Sequence, residues 1–286
     1  MKKRNLIGID LGATNVRVAR VLNQEIESIS SQPIIQNEDH TKLLKQIISL
    51  IEKEITPEVS AIGVGVPSVV DVEKGIVYDV QNIPSWKMVP LKDILEERFN
   101  VPVYINNDAN CFALGEKYFG KAQNYNSVVG LIIGTGFGSG LIMNGKLFSG
   151  ANCGAGEVGM LPYKDSIFEH YCSGQFFEIH KNTDGLTAYS KALEGDKEAL
   201  EMYKEFGTHV GNGIKAVMYA FDPEIIVLGG SASKALALFE PQMREAMSDF
   251  AYTQSLEKVK ISVSELDQVA ILGAAALALD QQIPTK

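Results

Sequence analysis

The stretch Asn106-Asn107-Asp108-Ala109-Asn110 gathers side chains able to do chemistry at a place where the pattern changes. It follows an apolar run, Val101-Pro102-Val103-Tyr104-Ile105, that reads as a buried strand. It precedes Ala109 to Phe119, where Phe112, Leu114, Tyr118 and Phe119 recur at roughly helical spacing. A carboxylate at a strand-to-helix junction lies at the carboxyl end of a sheet, where open α/β sheets hold their ligands. There Asp108 can accept a proton from a substrate hydroxyl while Asn107 holds that substrate. The plain alternative is a helix cap, since Asp and Asn are both favoured at that position. The pentapeptide alone leaves the two open.

Two glycine-rich turns supply the next candidates. Asp10-Leu11-Gly12-Ala13-Thr14-Asn15 follows the apolar Leu6-Ile7-Gly8-Ile9 and runs into Val16 to Val21, which alternates with period two. In this hairpin pattern Gly12 lets backbone approach a ligand, and successive N–H groups with the Thr14 hydroxyl can hold phosphate oxygens. Asp10 can bind a magnesium ion or its waters, because hard cations take oxygen ligands. An ordinary turn built from Asp and Gly is the alternative for this segment. The second turn, Gly134-Thr135-Gly136-Phe137-Gly138-Ser139-Gly140, follows the apolar Val128 to Ile133. Leu141-Ile142-Met143 then resumes as a strand, and Asn144-Gly145 is a strong hairpin signal. Neither turn opens a helix, which argues against dinucleotide binding of the Rossmann kind. Glycine loops placed after several strands favour the binding of nucleotide phosphates.

The elements that must position these residues follow from periodicity. Strands are expected over 6–9, 16–21 and 26–34, then a helix from Thr41 to Ile55 with Leu43, Ile47, Ile51 and Ile55 in one row. Ala61 to Ser68 is a further strand, whose Gly63 and Gly65 permit close backbone approach. Asn82 to Leu91 reads as a loop around Trp86, and Leu91 to Phe99 as a short helix. Three leading strands followed by alternating strands and helices predict a mixed sheet. Later come a long helix over Lys197 to Phe221 and a strand from Glu224 to Leu228 that ends in Gly229-Gly230-Ser231. A helix over Phe239 to Tyr252, a strand over Val259 to Val263 and an Ala-rich helix over Ile271 to Asp280 close the chain. Two halves that each open with a glycine-turn hairpin predict two related lobes with a ligand cleft between them.

Composition narrows the class. With 286 residues, 45% of them hydrophobic, the chain can bury a sizeable core, and its length fits two modest domains better than one. A formal net charge of -9 argues against nucleic acid as a main partner. No apolar run is long enough to span a bilayer and no signal-peptide pattern is present, so a cytoplasmic protein without membrane partners is expected. Cys111, Cys153 and Cys172 are widely separated and odd in number, which indicates no disulfide framework.

Taken together, Asp10-x-Gly12-x-Thr14, Gly63-x-Gly65-x-Pro67, Asn107-Asp108-x-Asn110, Gly134-Thr135-Gly136-x-Gly138-x-Gly140, Gly154-x-Gly156-Glu157-x-Gly159 and Leu228-Gly229-Gly230 resemble the ROK family. That family of repressors, open reading frames and kinases belongs to the actin-like ATPase and sugar kinase superfamily. The matches run in family order from Asp10 to Gly273-Ala274-Ala275. The resemblance implies an α/β, two-lobed actin-like ATPase (ribonuclease H-like) fold, with a mixed five-stranded sheet and helices in each lobe. It implies ATP- and magnesium-dependent phosphorylation of a hexose, glucose at its 6-hydroxyl being favoured over an N-acetylhexosamine, fructose or allose. Carried over by position, Asp108 is the general base, and Gly65, Asn82, Asn107, Glu157 and Glu178 join it around the sugar. Asp10, Gly12, Thr14, Gly134, Thr135, Gly136, Gly229 and Gly230 surround the nucleotide, with Asp10 toward magnesium. Residues 1–110 with about 268–286 form the sugar and phosphate lobe, and 111–267 the nucleotide and dimerisation lobe. A homodimer is implied.

The departures carry their own expectations. Many family members have a His three residues after the Glu157 equivalent and a downstream cysteine cluster, which together bind zinc. Here Met160 stands in the His position, and Cys172 with His170 and His180 does not supply a four-ligand closed site, so no structural zinc is expected. A repressor of this family needs a DNA-binding segment ahead of Asp10, where nine residues stand. A non-catalytic sugar-binding protein on the same fold is the remaining alternative, and the intact Asp10, Asp108 and glycine turns speak against it.

Overall fold

The computed structural model describes residues 4–12, 14–35, 40–80 and 83–281. The chain forms two compact units, Met1–Asn124 with Lys146–Ala155 and Glu265–Lys286, and Tyr125–Gly145 with Gly156–Ser264.

In the first unit, strand Asn5–Leu11 is buried along almost its whole length, as a strand covered on both faces must be. It pairs antiparallel with Asn15–Leu22 and parallel with Val59–Val66. The sheet runs in the order Glu25–Pro33, Asn15–Leu22, Asn5–Leu11, Val59–Val66, Val103–Asn107. Helix His40–Glu54 lays Leu43, Ile47, Leu50 and Ile51 into the core from one side. The closing helix, Val269–Asp280, approaches until side chains would obstruct it. A Cβ on Gly63 would lie 1.8 Å from the Ala274 carbonyl oxygen, and one on Gly273 would lie 1.7 Å from that of Cys111. Gly63 therefore admits a helix backbone rather than a ligand.

This packing moves the expected boundary. Helix Asp108–Tyr118 rests on the closing helix, so the first unit continues to Asn124 instead of ending at 110. The segment Lys146–Ala155 also belongs to it. A small sheet, Val69–Asp71, Ile76–Tyr78 and Met88–Val89, completes the unit, and Trp86 beside it is fully buried in the core.

The second unit repeats the plan. The second five-stranded sheet runs Lys146–Leu147, Phe137–Met143, Val128–Ile133, Ile225–Gly229, Lys260–Val263, and all its strands but the edge strand Lys146–Leu147 lie in this unit. The pair Phe137–Met143 and Val128–Ile133 is antiparallel, and the pairs from Val128–Ile133 onward are parallel. Asn144 and Gly145 adopt φ of 53° and 77°, as a two-residue hairpin turn of the primed type requires. Helix Lys197–Phe221 starts where the Asp196 carboxylate accepts from the Ala199 N–H at 2.8 Å. Helix Leu236–Met247 ends earlier than expected, and Thr253–Lys258 forms a separate turn of helix. Each unit thus holds a mixed five-stranded sheet with helices, as expected for an actin-like ATPase fold. Among the described residues no helix is long and apolar enough to cross a membrane.

Candidate functional site

Register across the first sheet sets one row of residues. Asp10 lies beside Gly65, Gly65 beside Asn106, and Val66 beside Asn107, all at the carboxyl ends of parallel strands. Helix Asp108–Tyr118 begins directly after, and its cap is Asn107, whose Oδ1 accepts from the Asn110 N–H at 3.0 Å. That leaves the Asn107 side-chain amide N–H groups as donors for a substrate. Asp108 is half-buried in the first turn, where its Oδ1 accepts from the Ala109 N–H at 2.9 Å. The helix N-terminus favours negative charge there. Gly65 sits inside the sheet, and a Cβ on it would lie 3.1 Å from Cys111 Sγ.

Asp10 is 6% exposed and faces Arg17 across the hairpin. Arg17 donates to Asp10 Oδ2 from Nη2 and, at 3.0 Å, from Nε; its Nη1 donates to Gln268 Oε1 at 2.8 Å. The turn between them is closed by Gly12 N–H donating to the Asn15 carbonyl at 3.0 Å, and Thr14 Oγ1 accepts from Asn15 Nδ2 at 3.0 Å. Magnesium is often held by one or two carboxylates together with substrate phosphates. Asp10 supplies one such carboxylate and fits that role, with Arg17 fixing its orientation.

The second unit places Gly134, Thr135 and Gly136 in the turn between its hairpin strands. Gly134 N–H donates to the Gly136 carbonyl at 3.0 Å, and Gly174 N–H donates to the Gly134 carbonyl at 2.7 Å. Behind the turn, Glu169 Oε2 accepts from the Phe137 N–H at 3.1 Å, and Gln175 Nε2 bridges Glu169 Oε1 at 3.0 Å and the Thr135 carbonyl at 3.2 Å. Gly134 and Thr135 line the cavity beside the turn, and a Cβ on Gly136 would lie 2.7 Å from Glu169 Oε2. Gly230, with φ of 84°, passes so close that a Cβ would lie 2.4 Å from the Ile133 carbonyl oxygen. Gly229 pairs with Ile132 within the sheet.

Beside this turn is a cavity of about 430 Å³ lined by Gly134, Thr135, Phe177, Glu178, Leu186, Tyr189, Tyr203, Ser231 and Lys234, among others. Its apolar and aromatic walls with a few polar groups are the usual make-up of a small-molecule site. Glu178, expected beside a sugar, lies in this cavity with Thr135. The acid near Glu157 is Glu169: burial, and then the Glu169 carboxylate, push the Glu157 pKa up from its ordinary value. Ser139 Oγ donates to the Gly156 carbonyl at 2.5 Å, and Gly156, with φ of 96°, would bring a Cβ within 2.5 Å of the Ser139 carbonyl oxygen. This contact holds Glu157 at the start of the short turn Val158–Met160, where Met160 is exposed.

Asn82 lies outside the described residues. Glu169, Gln175 and Lys234 were not marked by the sequence reading; Glu169 sits on a five-residue helix, Phe168–Cys172, too short to show a period. Among the described residues no group of three or more His, Cys, Asp or Glu side chains is placed to hold a metal ion. Cys172 Sγ donates to the His209 carbonyl at 3.2 Å, His170 Nδ1 lies 2.6 Å from Ser166 Oγ, and His180 stacks on Tyr171.

A family model described as ROK family matches residues 6–281. The chain is 30% identical to a xylose repressor of Caldicellulosiruptor bescii, over 98% of this chain and 79% of that protein. It is 27% identical to a glucokinase of Thermotoga maritima, over 97% and 98% of the two chains. To an N-acetyl-D-glucosamine kinase of Haemophilus influenzae it is 30% identical, over 95% and 98%. Among solved structures, a ROK hexokinase from Thermus thermophilus superimposes with a TM-score of 0.83 at 25% identity, covering 96% of this chain and 97% of that one.

Proposed function

This chain belongs to the ROK family, and from that premise we propose that it is an ATP-dependent sugar kinase that phosphorylates glucose at the 6-hydroxyl, with Asp108 as general base. The observation that carries the reading is the Asn107–Asp108 junction at the carboxyl ends of parallel strands, directly after Asn106, which lies in register with Asp10 through Gly65. ATP with magnesium supplies the phosphoryl group and the neutralising charge when bound. Phosphoryl transfer depends on positioning and charge neutralisation, and asks of a base only that it orient the hydroxyl and take its proton late. Asp108 orients the hydroxyl and accepts that proton, while the Asn107 amide holds the sugar. Asp10 would hold the magnesium ion through its carboxylate. Glu157 accepts hydrogen bonds from sugar hydroxyls; burial, and then the neighbouring Glu169 carboxylate, disfavour its charge.

The nucleotide occupies the cavity of the second unit. Thr135 N–H and Lys234 meet its phosphates, and Phe177, Leu186, Tyr189 and Tyr203 offer surface for a planar base. An N-acetylhexosamine is the second acceptor to consider, because an N-acetyl-D-glucosamine kinase is among the relatives at 30% identity. Exposed Met160 next to Glu157 gives an apolar contact that either acceptor can use. A coupled assay with ATP, magnesium and a panel of glucose, N-acetylglucosamine, N-acetylmannosamine, fructose and allose tests the reading. Glucose-dependent ADP formation is expected; sugar binding without ADP formation across the panel sinks it.

A further inference from the structure

Behind the Asn107–Asp108 junction lies a buried polar network that the chemistry above does not use. Asn106, 2% exposed, is its centre. Its Oδ1 accepts from the Asn107 N–H at 2.9 Å, from Asn110 Nδ2 at 2.9 Å and from Cys153 Sγ at 2.8 Å, and its Nδ2 donates to Ser149 Oγ at 3.0 Å. A backbone N–H can only donate, so the Asn107 contact fixes which amide atom of Asn106 is the oxygen. Asn110 Nδ2 also lies 3.6 Å from Cys153 Sγ.

Two departures from comfort coincide here. Cys153 adopts φ of 61°, a left-handed conformation that side chains other than Gly and Asn rarely take. Asn110 Oδ1 is buried without a hydrogen-bond partner among the described residues. Such features persist where the surroundings over-determine them, and they cluster at working sites. The loop bearing Cys153 is closed by the Ala155 N–H donating to the Ser149 carbonyl at 3.1 Å, and the chain reaches Glu157 two residues later. The same short loop is therefore tied to the Asp108 junction by hydrogen bonds and to Glu157 by sequence.

We propose that Cys153 is a positioning residue: its S–H, donated to Asn106, pins the Asn106 amide, which in turn fixes the Asn107 backbone and Asn110 side chain and so sets where the Asp108 carboxylate stands. This rests on the kinase reading. Small misplacements of a reacting group are costly, on the order of 100-fold for 1 Å.

The test is the series Cys153→Gly, Cys153→Ser and Cys153→Ala, with Asp108→Asn measured alongside. Glycine removes the thiol yet suits the positive φ, so Cys153→Gly is expected to keep its unfolding temperature while kcat falls roughly 10-fold, a fraction of the loss a full misplacement brings. Serine restores a donor, and Cys153→Ser is expected to recover most of kcat at unchanged sugar KM. Cys153→Ala loses the donor and the buried sulfur without relieving the positive φ, so it loses both kcat and unfolding temperature. Parental kcat in Cys153→Gly overturns the inference, as does an equal loss in the Ser and Gly variants. Turnover retained in Asp108→Asn overturns the base assignment and this inference with it. Turnover lost in Asp108→Asn but untouched in Cys153→Gly overturns this inference alone.

Discussion

The two hairpins that open the two units share a plan and differ in how they are held. The Asp10 turn is locked by charge: Arg17 clamps Asp10 and reaches Gln268 at the start of the closing helix. The Gly134 turn carries no charge and is braced from behind by Glu169 and Gln175, next to an open cavity. Around the first, the acceptors of Asn106 and Asn107 are already taken and the backbone is packed to contact. Around the second, space is left. The difference is one of room: the first turn is packed around its side chains, and the second borders a cavity of about 430 Å³.

The sharpest way to break this comparison is at Asp108. Asp108→Ala is expected to cut kcat by about 10²–10⁴-fold, the usual share of general-base catalysis, while calorimetric sugar affinity changes little. Near-normal turnover in a folded variant removes the first unit's role. Next in size is Gly63→Ala, which forces a Cβ to within 1.8 Å of the Ala274 carbonyl oxygen. Overpacking costs about 1–3 kcal/mol, occasionally more, so denaturant melts should show a loss at the upper end, and an unchanged midpoint argues against the close helix approach.

Smaller effects are expected from pH. Because the Glu157 pKa is raised, its carboxylate takes up a proton at higher pH than an ordinary glutamate as the solution is acidified. Sugar KM should rise as pH falls through that range, and Glu157→Gln should flatten the profile; an identical profile in the variant removes Glu157 from sugar binding. His209 makes the smallest test. It is buried against Tyr163, Tyr171 and Phe176, and burial first, then Lys164, push its pKa down to about 4, although Glu205 pulls the other way. The folded state prefers the neutral ring, so stability is full above the ordinary value of 6.5 and is lost as pH falls from there toward 4. His209→Gln should lessen that acid sensitivity of the second unit.

How much of this was legible in the chain differs by region. The Asp108 junction could be read because an apolar run and a helical period meet there, and both glycine turns because alternating strands flank them. The strand after the second turn begins sooner than expected, at Phe137, since Gly138 and Gly140 pair in the ladder despite lacking side chains. The segment 168–193 gave no pattern: its helices have five, seven and nine residues, too few turns to display a stripe. Glu178 was therefore reached only through the family resemblance, and Glu169 not at all. Nor could spacing show that Lys146–Ala155 returns to the first unit or that Cys153 is left-handed, because both are set by contacts across the fold.

The claim on which the account rests is that the acceptor is the sugar's 6-hydroxyl, deprotonated by Asp108. Phosphorus NMR of the enzyme with ATP, magnesium and either glucose or 6-deoxyglucose tests it most directly. The account predicts a 6-phosphate appearing in step with ADP from glucose, and 6-deoxyglucose bound but inert. Phosphate on another oxygen, or ADP released as fast with 6-deoxyglucose, contradicts it.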